Sequence, residues 1–234
     1  MSARAAPAAP AAQPVASAPE PNCPACPRLA AFRDTNRTAY PAFFNAPVPS
    51  FGRLDARLLI VGLAPGLKGA NRTGRPFTGD YAGDLLYATL LEFDFARGVY
   101  DRRPDDGLTL QDCRITNAVR CVPPANKPLG AEIKTCRGFL VAEIAAMARL
   151  HIVLALGVVA HTAVLAALGA RAATHKFTHG AVHSMRPGLD LADSYHCSRY
   201  NTNTGRLTPA MFAAVFAALR ARLGQHPPSQ VEGY

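Results

Sequence analysis

The sequence predicts an α/β domain in which a parallel β-sheet is covered by helices on both faces. Three observations carry that reading. Four short segments, residues 57–63 (RLLIVGL), 114–119 (RITNAV), 151–156 (HIVLAL) and 189–196 (LDLADSYH), read as strands; the first and third contain the continuous apolar runs expected of strands buried on both faces. Helical stretches separate them, so the connections are crossovers and the sheet is parallel. The conspicuous polar clusters lie just past strand ends, after Leu63, around Asn117 and after Tyr195, where open parallel sheets bind ligands.

Taken in order, residues 1–21 are rich in Ala and Pro and carry almost no large side chains. They bury too little to offset chain entropy and are expected to be disordered. Prolines interrupt any apolar core, so the segment does not read as a signal peptide. Residues 22–223 form one domain of ordinary size. Its first strand, 57–63, stops at Ala64-Pro65-Gly66. Residues 79–97 carry Leu85, Leu86, Leu90 and Leu91 as a helical stripe. The second strand, 114–119, is followed by a long helix over 129–150, begun beyond Pro128. The third strand ends at Gly157, and a short helix covers 160–168. After the fourth strand, Thr208 is a good N-cap, with Pro209 at the first helical position, for a helix running to Leu223. Residues 224–234 (GQHPPSQVEGY) read as a flexible tail.

The 234-residue chain has a formal net charge of +9, carried mostly by arginine. A basic balance favours a polyanionic partner, and Arg forks suit phosphate. No segment approaches the ~20 apolar residues of a membrane span, so no membrane association is expected. Six cysteines are present. In a chain that is not exported they stay reduced, in a cytoplasmic setting, and serve as ligands or buried thiols rather than disulfides. Cys23-Pro-Ala-Cys26 is one pair; Cys121 and Cys136, with fourteen residues between them, are a second. Four converging thiolates suit zinc or a [4Fe–4S] cluster, and spacing does not choose between them. Cys113 reads as core, and Cys197 lies inside a polar loop.

Three blocks are distinctive: Gly62–Gly66 continued by Gly69–Asp80 (GANRTGRPFTGD), Thr116–Pro124 (TNAVRCVPP), and Tyr195–Thr208 (YHCSRYNTNTGRLT). In these blocks the sequence resembles the type 5 uracil-DNA glycosylases, over roughly residues 23–223. The resemblance implies a three-layer α/β/α fold with a central four-stranded parallel sheet. It also implies a [4Fe–4S] cluster on Cys23, Cys26, Cys121 and Cys136, with zinc as the alternative there. The activity implied is hydrolysis of the N-glycosidic bond of uracil, and of other deaminated bases, flipped out of DNA. The enzyme is expected to act as a monomer, bound to the nucleoid through its substrate. One departure is Cys197, where members of the superfamily often place proline after the loop histidine.

That chemistry sets three tasks: steadying the departing uracil anion, favouring the cationic sugar and its water, and gripping the base. His196, at a strand's carboxyl end, is the candidate donor to uracil O2. Asp80 is the candidate carboxylate. Type 4 relatives place an acid two positions before the first-motif proline, which is Leu63 here, and the resemblance moves the task to Asp80; Asp84 reads as a helix-start acid. Phe77 offers a stacking face, and Asn117 matches the adjacent donor and acceptor of a uracil edge. Gly62 and Ala64 lend backbone groups close to the base. Asn201, Arg206, Arg72 and Arg199 are the expected DNA contacts, with Arg75 and Arg120 as weaker ones. His175, His179 and His183 recur every four residues, but Gly180 favours a loop or hairpin over a metal-binding helix. A non-catalytic DNA-binding module, a redox protein and a zinc-stapled nucleotide-binding domain are the competing classes. The joint presence of Asp80, Asn117 and His196 favours the enzyme, because binding alone needs none of them.

Overall fold

The computed structural model describes residues 18–225. The disorder expected for residues 1–21 and the tail expected beyond 223 fall almost wholly outside that range, although Gly224 still closes the last helix. The elements run α1 (Pro27–Ala39), β1 (Leu58–Gly62), α2 (Ala70–Thr73), α3 (Tyr81–Glu92), β2 (Ala96–Arg97), β3 (Thr109–Leu110), β4 (Cys113–Asn117), α4 (Gly130–Ala146), β5 (Ile152–Leu156), α5 (Val158–Ala167), β6 (Val182–Arg186), β7 (Leu189–Ser194), α6 (Arg199–Asn203) and α7 (Pro209–Gly224). No described helix is long and apolar enough to cross a membrane.

The main sheet has the order β4-β1-β5-β7-β6. The first four strands are parallel, as expected. The fifth, β6, is an antiparallel edge strand that forms a hairpin with β7. It adds to the expected four, and it puts His183 in the hairpin that Gly180 suggested rather than on a helix.

Alternation along the buried strands divides the core in two. Leu58, Ile60, Ile115 and Leu154 face Leu86 and Leu90 of α3 and Phe212 and Phe216 of α7. Leu59, Val61, Val153 and Leu191 face Leu140 and Ile144 of α4 and Val164 of α5. The helix after β1 therefore packs on one face, and those after β4 and β5 pack on the other. Their loops diverge beyond the strands' carboxyl ends and leave a recess around the end of β1.

The helix expected over 79–97 is shorter. It ends at Glu92 because Asp94 takes a left-handed φ of 55°, and Ala96–Arg97 then pairs with Thr109–Leu110 in a small second sheet. Thr208 caps α7 as expected, its side chain accepting the Met211 N–H at 3.1 Å.

Candidate active site

Register builds the floor of the recess. The last pair of the β1–β4 ladder is Gly62 with Asn117. A Cβ at Gly62 would lie 2.5 Å from Asn117 Oδ1 and 2.5 Å from Phe77 Cζ, so only glycine lets the amide and the ring meet over the strand end. Phe77 is buried and holds a left-handed φ of 53°, an unfavourable state for an aromatic residue that turns its ring toward the recess. The Phe77 and His196 rings stack with centroids 5.9 Å apart and planes 29° from parallel.

His196 follows β7. Burial pushes its imidazole down to about 4, so the ring is neutral at neutral pH and can donate a hydrogen bond without bringing a charge. Its loop is braced three ways. The Asn201 amide donates to the His196 carbonyl at 2.8 Å. Cys197, fully buried, directs its thiol to the Ala82 carbonyl at 3.4 Å, which ties the loop to the first turn of α3. His179 Nδ1 accepts the Tyr195 N–H at 3.1 Å, and its ring stacks on Tyr195 at 4.9 Å.

Asp80 is the N-cap of α3, its Oδ1 accepting the Gly83 N–H at 3.2 Å. Its Oδ2 rests against bare backbone, since a Cβ on Gly69 would meet it at 2.3 Å and one on Gly66 at 3.1 Å. Burial raises its pKa, while the Gly83 and Ala82 amides oppose that rise by favouring the carboxylate. Asp84 points elsewhere, to a forked pair with Arg102 at 2.8 and 2.9 Å. Phe77 thus meets both the Gly62–Asn117 strand end and the His196 ring, and Asp80 caps the helix that begins just after the Phe77 loop. Ala64 packs its methyl on the neighbouring cysteine side, against the cluster of Leu29, Val119 and Cys136, leaving only its backbone for a ligand.

The four cysteines converge from three parts of the chain. Cys26 is the N-cap of α1 with Cys23 just before it, Cys121 follows β4, and Cys136 lies in α4. They line one apolar hollow with Leu29, Val119 and Phe139. Burial first, and then the neighbouring thiols, pushes Cys121 up to about 12 and raises Cys26; Cys136 is raised by burial. Thiols so placed stay protonated until a metal displaces their protons. Arg33 is buried beside them and, among the described residues, its Nε has no partner, and the Arg120 N–H donates to Cys136 Sγ at 3.4 Å. Both donors suit an anionic thiolate-bound group. Outside the cysteines, α1 is tied to α4 by the two-pronged pair of Arg28 with Glu132, 2.7 Å at each contact.

Two expected phosphate contacts are corrected. Arg75 is buried among Phe51, Tyr87 and Tyr100 and forks onto Asp106 at 2.8 and 2.7 Å. Arg120 is buried in a triad with Glu143 and Arg114. Both guanidinium groups are taken up by buried carboxylates. Asn201 has its amide nitrogen committed to the loop. Arg72, Arg199 and Arg206 remain exposed, Arg199 over the Tyr81 ring at 5.2 Å and Arg206 over Tyr195 at 4.7 Å. The bracing roles of His179 and Cys197 carry no signal in the sequence, where the four-residue spacing of His175, His179 and His183 is the only pattern around His179.

A family model described as the uracil DNA glycosylase superfamily matches residues 49–220, which include the recess. The chain is 42% identical over 207 residues to a type-5 uracil-DNA glycosylase of Thermus thermophilus, covering 86% of this chain and 94% of that protein. It is 41% identical over 207 residues to one from Pyrobaculum aerophilum, covering 87% and 90%, and 43% identical over 202 residues to one from Mycobacterium leprae, covering 83% and 88%. The chain belongs to the uracil DNA glycosylase superfamily and, within it, to the type-5 uracil-DNA glycosylases.

Proposed function

We infer that this protein flips uracil out of DNA and hydrolyses its N-glycosidic bond, leaving an abasic site for base-excision repair. The observation that carries the reading is the gathering of an amide, an aromatic face and a neutral imidazole at the sheet's carboxyl end, with a capped carboxylate at the start of the adjoining helix. The Asn117 side chain pairs with the base edge while Phe77 stacks on its face. As the bond breaks, neutral His196 donates to uracil O2, where negative charge develops. Asp80, whose carboxylate form the Gly83 and Ala82 amides favour against the burial that raises its pKa, favours the cationic sugar and orients water. Neither interaction costs reorganisation at that moment, because the Asn201 and Cys197 contacts and the α3 cap fix both groups beforehand.

Cys23, Cys26, Cys121 and Cys136 hold the [4Fe–4S] cluster. Bound there, it would supply folding free energy by fastening α1 to the sheet. Arg72, Arg199 and Arg206 lie on the exposed rim and take DNA phosphates. Tyr200, 72% exposed on α6 in the same loop block as His196, is the side chain we assign to the space the base vacates. The test is an end-labelled oligonucleotide carrying one uracil: alkaline treatment after incubation must cut the strand at that position and leave a thymine control intact.

A further inference from the structure

We propose that His161, His183 and Asp193 form a second metal site, one for a divalent cation of the zinc class, separate from both the recess and the cysteines. One ring nitrogen each of His161 and His183 and an Asp193 carboxylate oxygen all lie within 4.8 Å of one another. The direct contacts are 2.7 Å from His161 Nδ1 to Asp193 Oδ1 and 3.1 Å from His183 Nε2 to Asp193 Oδ2.

Proton arithmetic shows why a cation belongs there. His161 Nε2 lies 2.8 Å from the His175 carbonyl, which can only accept, so Nε2 carries the ring's hydrogen. A neutral His161 then turns the lone pair of Nδ1 toward a carboxylate oxygen at hydrogen-bond distance. Two acceptors in contact repel unless a proton or a metal ion lies between them. Donating the remote N–H to a backbone carbonyl is also the arrangement that orients metal-bound imidazoles.

The carboxylate points the same way. Asp193 is completely buried, and among the described residues no Arg or Lys pairs with it. Apart from the two rings, it has the Thr178 N–H at 3.4 Å, a long bond for a buried charge. An unpaired carboxylate in that position would be costly.

Two imidazoles and one carboxylate are a ligand set suited to zinc, with a further position left for water or another side chain. His183 is partly exposed and gives an ion a way in. The His175 ring, centred 5.6 Å from that of His183, borders the open side. The ligands come from α5, β6 and β7. An ion there would pin the edge hairpin to the helix layer only three residues before His196, making the site structural.

The test uses untagged full-length protein with its cysteine site filled and Co2+ as a spectroscopic probe. Cobalt on nitrogen and oxygen ligands shows weak visible d–d bands without the intense near-ultraviolet charge transfer that thiolates give. The expected result is about one such cobalt per chain, displaced by zinc and absent from His183→Ala and from the bulk-preserving His183→Gln. Zinc at ~100-fold excess over its dissociation constant should raise the melting temperature of the unaltered protein by roughly 5 °C and leave both variants unmoved. No cobalt uptake, uptake unchanged in the two variants, or cobalt appearing only with thiolate bands would each overturn the site and leave a proton as the bridge between His161 and Asp193.

Discussion

A single methyl group at Gly62 tests whether the recess works through its geometry. In Gly62→Ala the new Cβ would stand 2.5 Å from both Asn117 Oδ1 and Phe77 Cζ, and 2.8 Å from Phe77 Cε2. Ordinary carbon contacts sit near ~3.5–4.0 Å, so the ring and the amide must retreat by about 1 Å. Phe77 has little room to do so, since its backbone already holds a φ of 53° and its carbonyl is tied to the Tyr100 hydroxyl at 3.2 Å. Overpacking of this kind costs ~1–3 kcal/mol of stability, and misplacing a base-positioning group by ~1 Å costs ~10²-fold in rate. Single-turnover excision of uracil should therefore fall about 100-fold, with affinity for abasic DNA preserved because the exposed arginines Arg72, Arg199 and Arg206 are untouched. Gly138→Ala is the control: Gly138 is exposed in α4 with nothing within 4 Å of the added Cβ, and it should gain ~0.5–1 kcal/mol at an unchanged rate. Wild-type excision by Gly62→Ala, with its fold intact, would refute the placement of Phe77 and Asn117 on the base.

Other expected outcomes follow from single interactions. Burial would raise the Asp106 carboxyl, but the Arg75 guanidinium and the Asp101 and Leu108 amides outweigh it and hold it at about 2. A depressed carboxyl adds stability above its unfolded value and loses it as pH falls, so denaturant unfolding should show about 2 kcal/mol disappearing between roughly pH 5 and pH 2. Asp106→Asn should remove that share of the slope and, by stranding buried Arg75, cost ~3–5 kcal/mol. Cys121→Ala should lose iron and the ~400 nm absorbance of the cluster, whereas Cys113→Ala, buried in the main core, should keep both; full iron in Cys121→Ala would remove it from the ligand set. Affinity for abasic DNA should fall with added salt, and Arg206→Ala should flatten the log–log slope by about 1; an unchanged slope would take Arg206 off the phosphates.

The parallel strands were legible because each is a short buried run ended by a turn, and parallel sheets bury both faces. The edge strand β6 was not, because Val182–Arg186 is only half-buried and its residues, VHSMR, show neither an apolar run nor clean alternation. Helix α1 escaped for a related reason: it buries Arg33 and Asn36 beside Leu29, so its inner face carries little apolar signal. The roles of Arg75 and Arg120 depend on partners 31 and 23 residues away, and charge in a sequence does not tell a buried pair from a solvated rim. The site blocks were readable as blocks because glycines and polar residues gather after strand ends. The bracing by His179 and Cys197 depends on where a loop folds back, which no local pattern encodes.

The central claim is that one carboxylate and one imidazole divide the work of breaking the glycosidic bond. The most direct measurement is single-turnover excision of uracil from an end-labelled oligonucleotide by the wild type, Asp80→Ala, His196→Ala and Asp84→Ala, with abasic-DNA affinity measured alongside. Asp80 and His196 would act mainly as charge develops, so each of their variants should lose ~10²-fold or more in rate while still binding abasic DNA. Asp84→Ala, which releases exposed Arg102 and removes one like charge from near Asp80, should excise normally. Normal excision by Asp80→Ala together with a loss in Asp84→Ala would identify the wrong carboxylate, and unchanged excision in all three variants would contradict the mechanism itself.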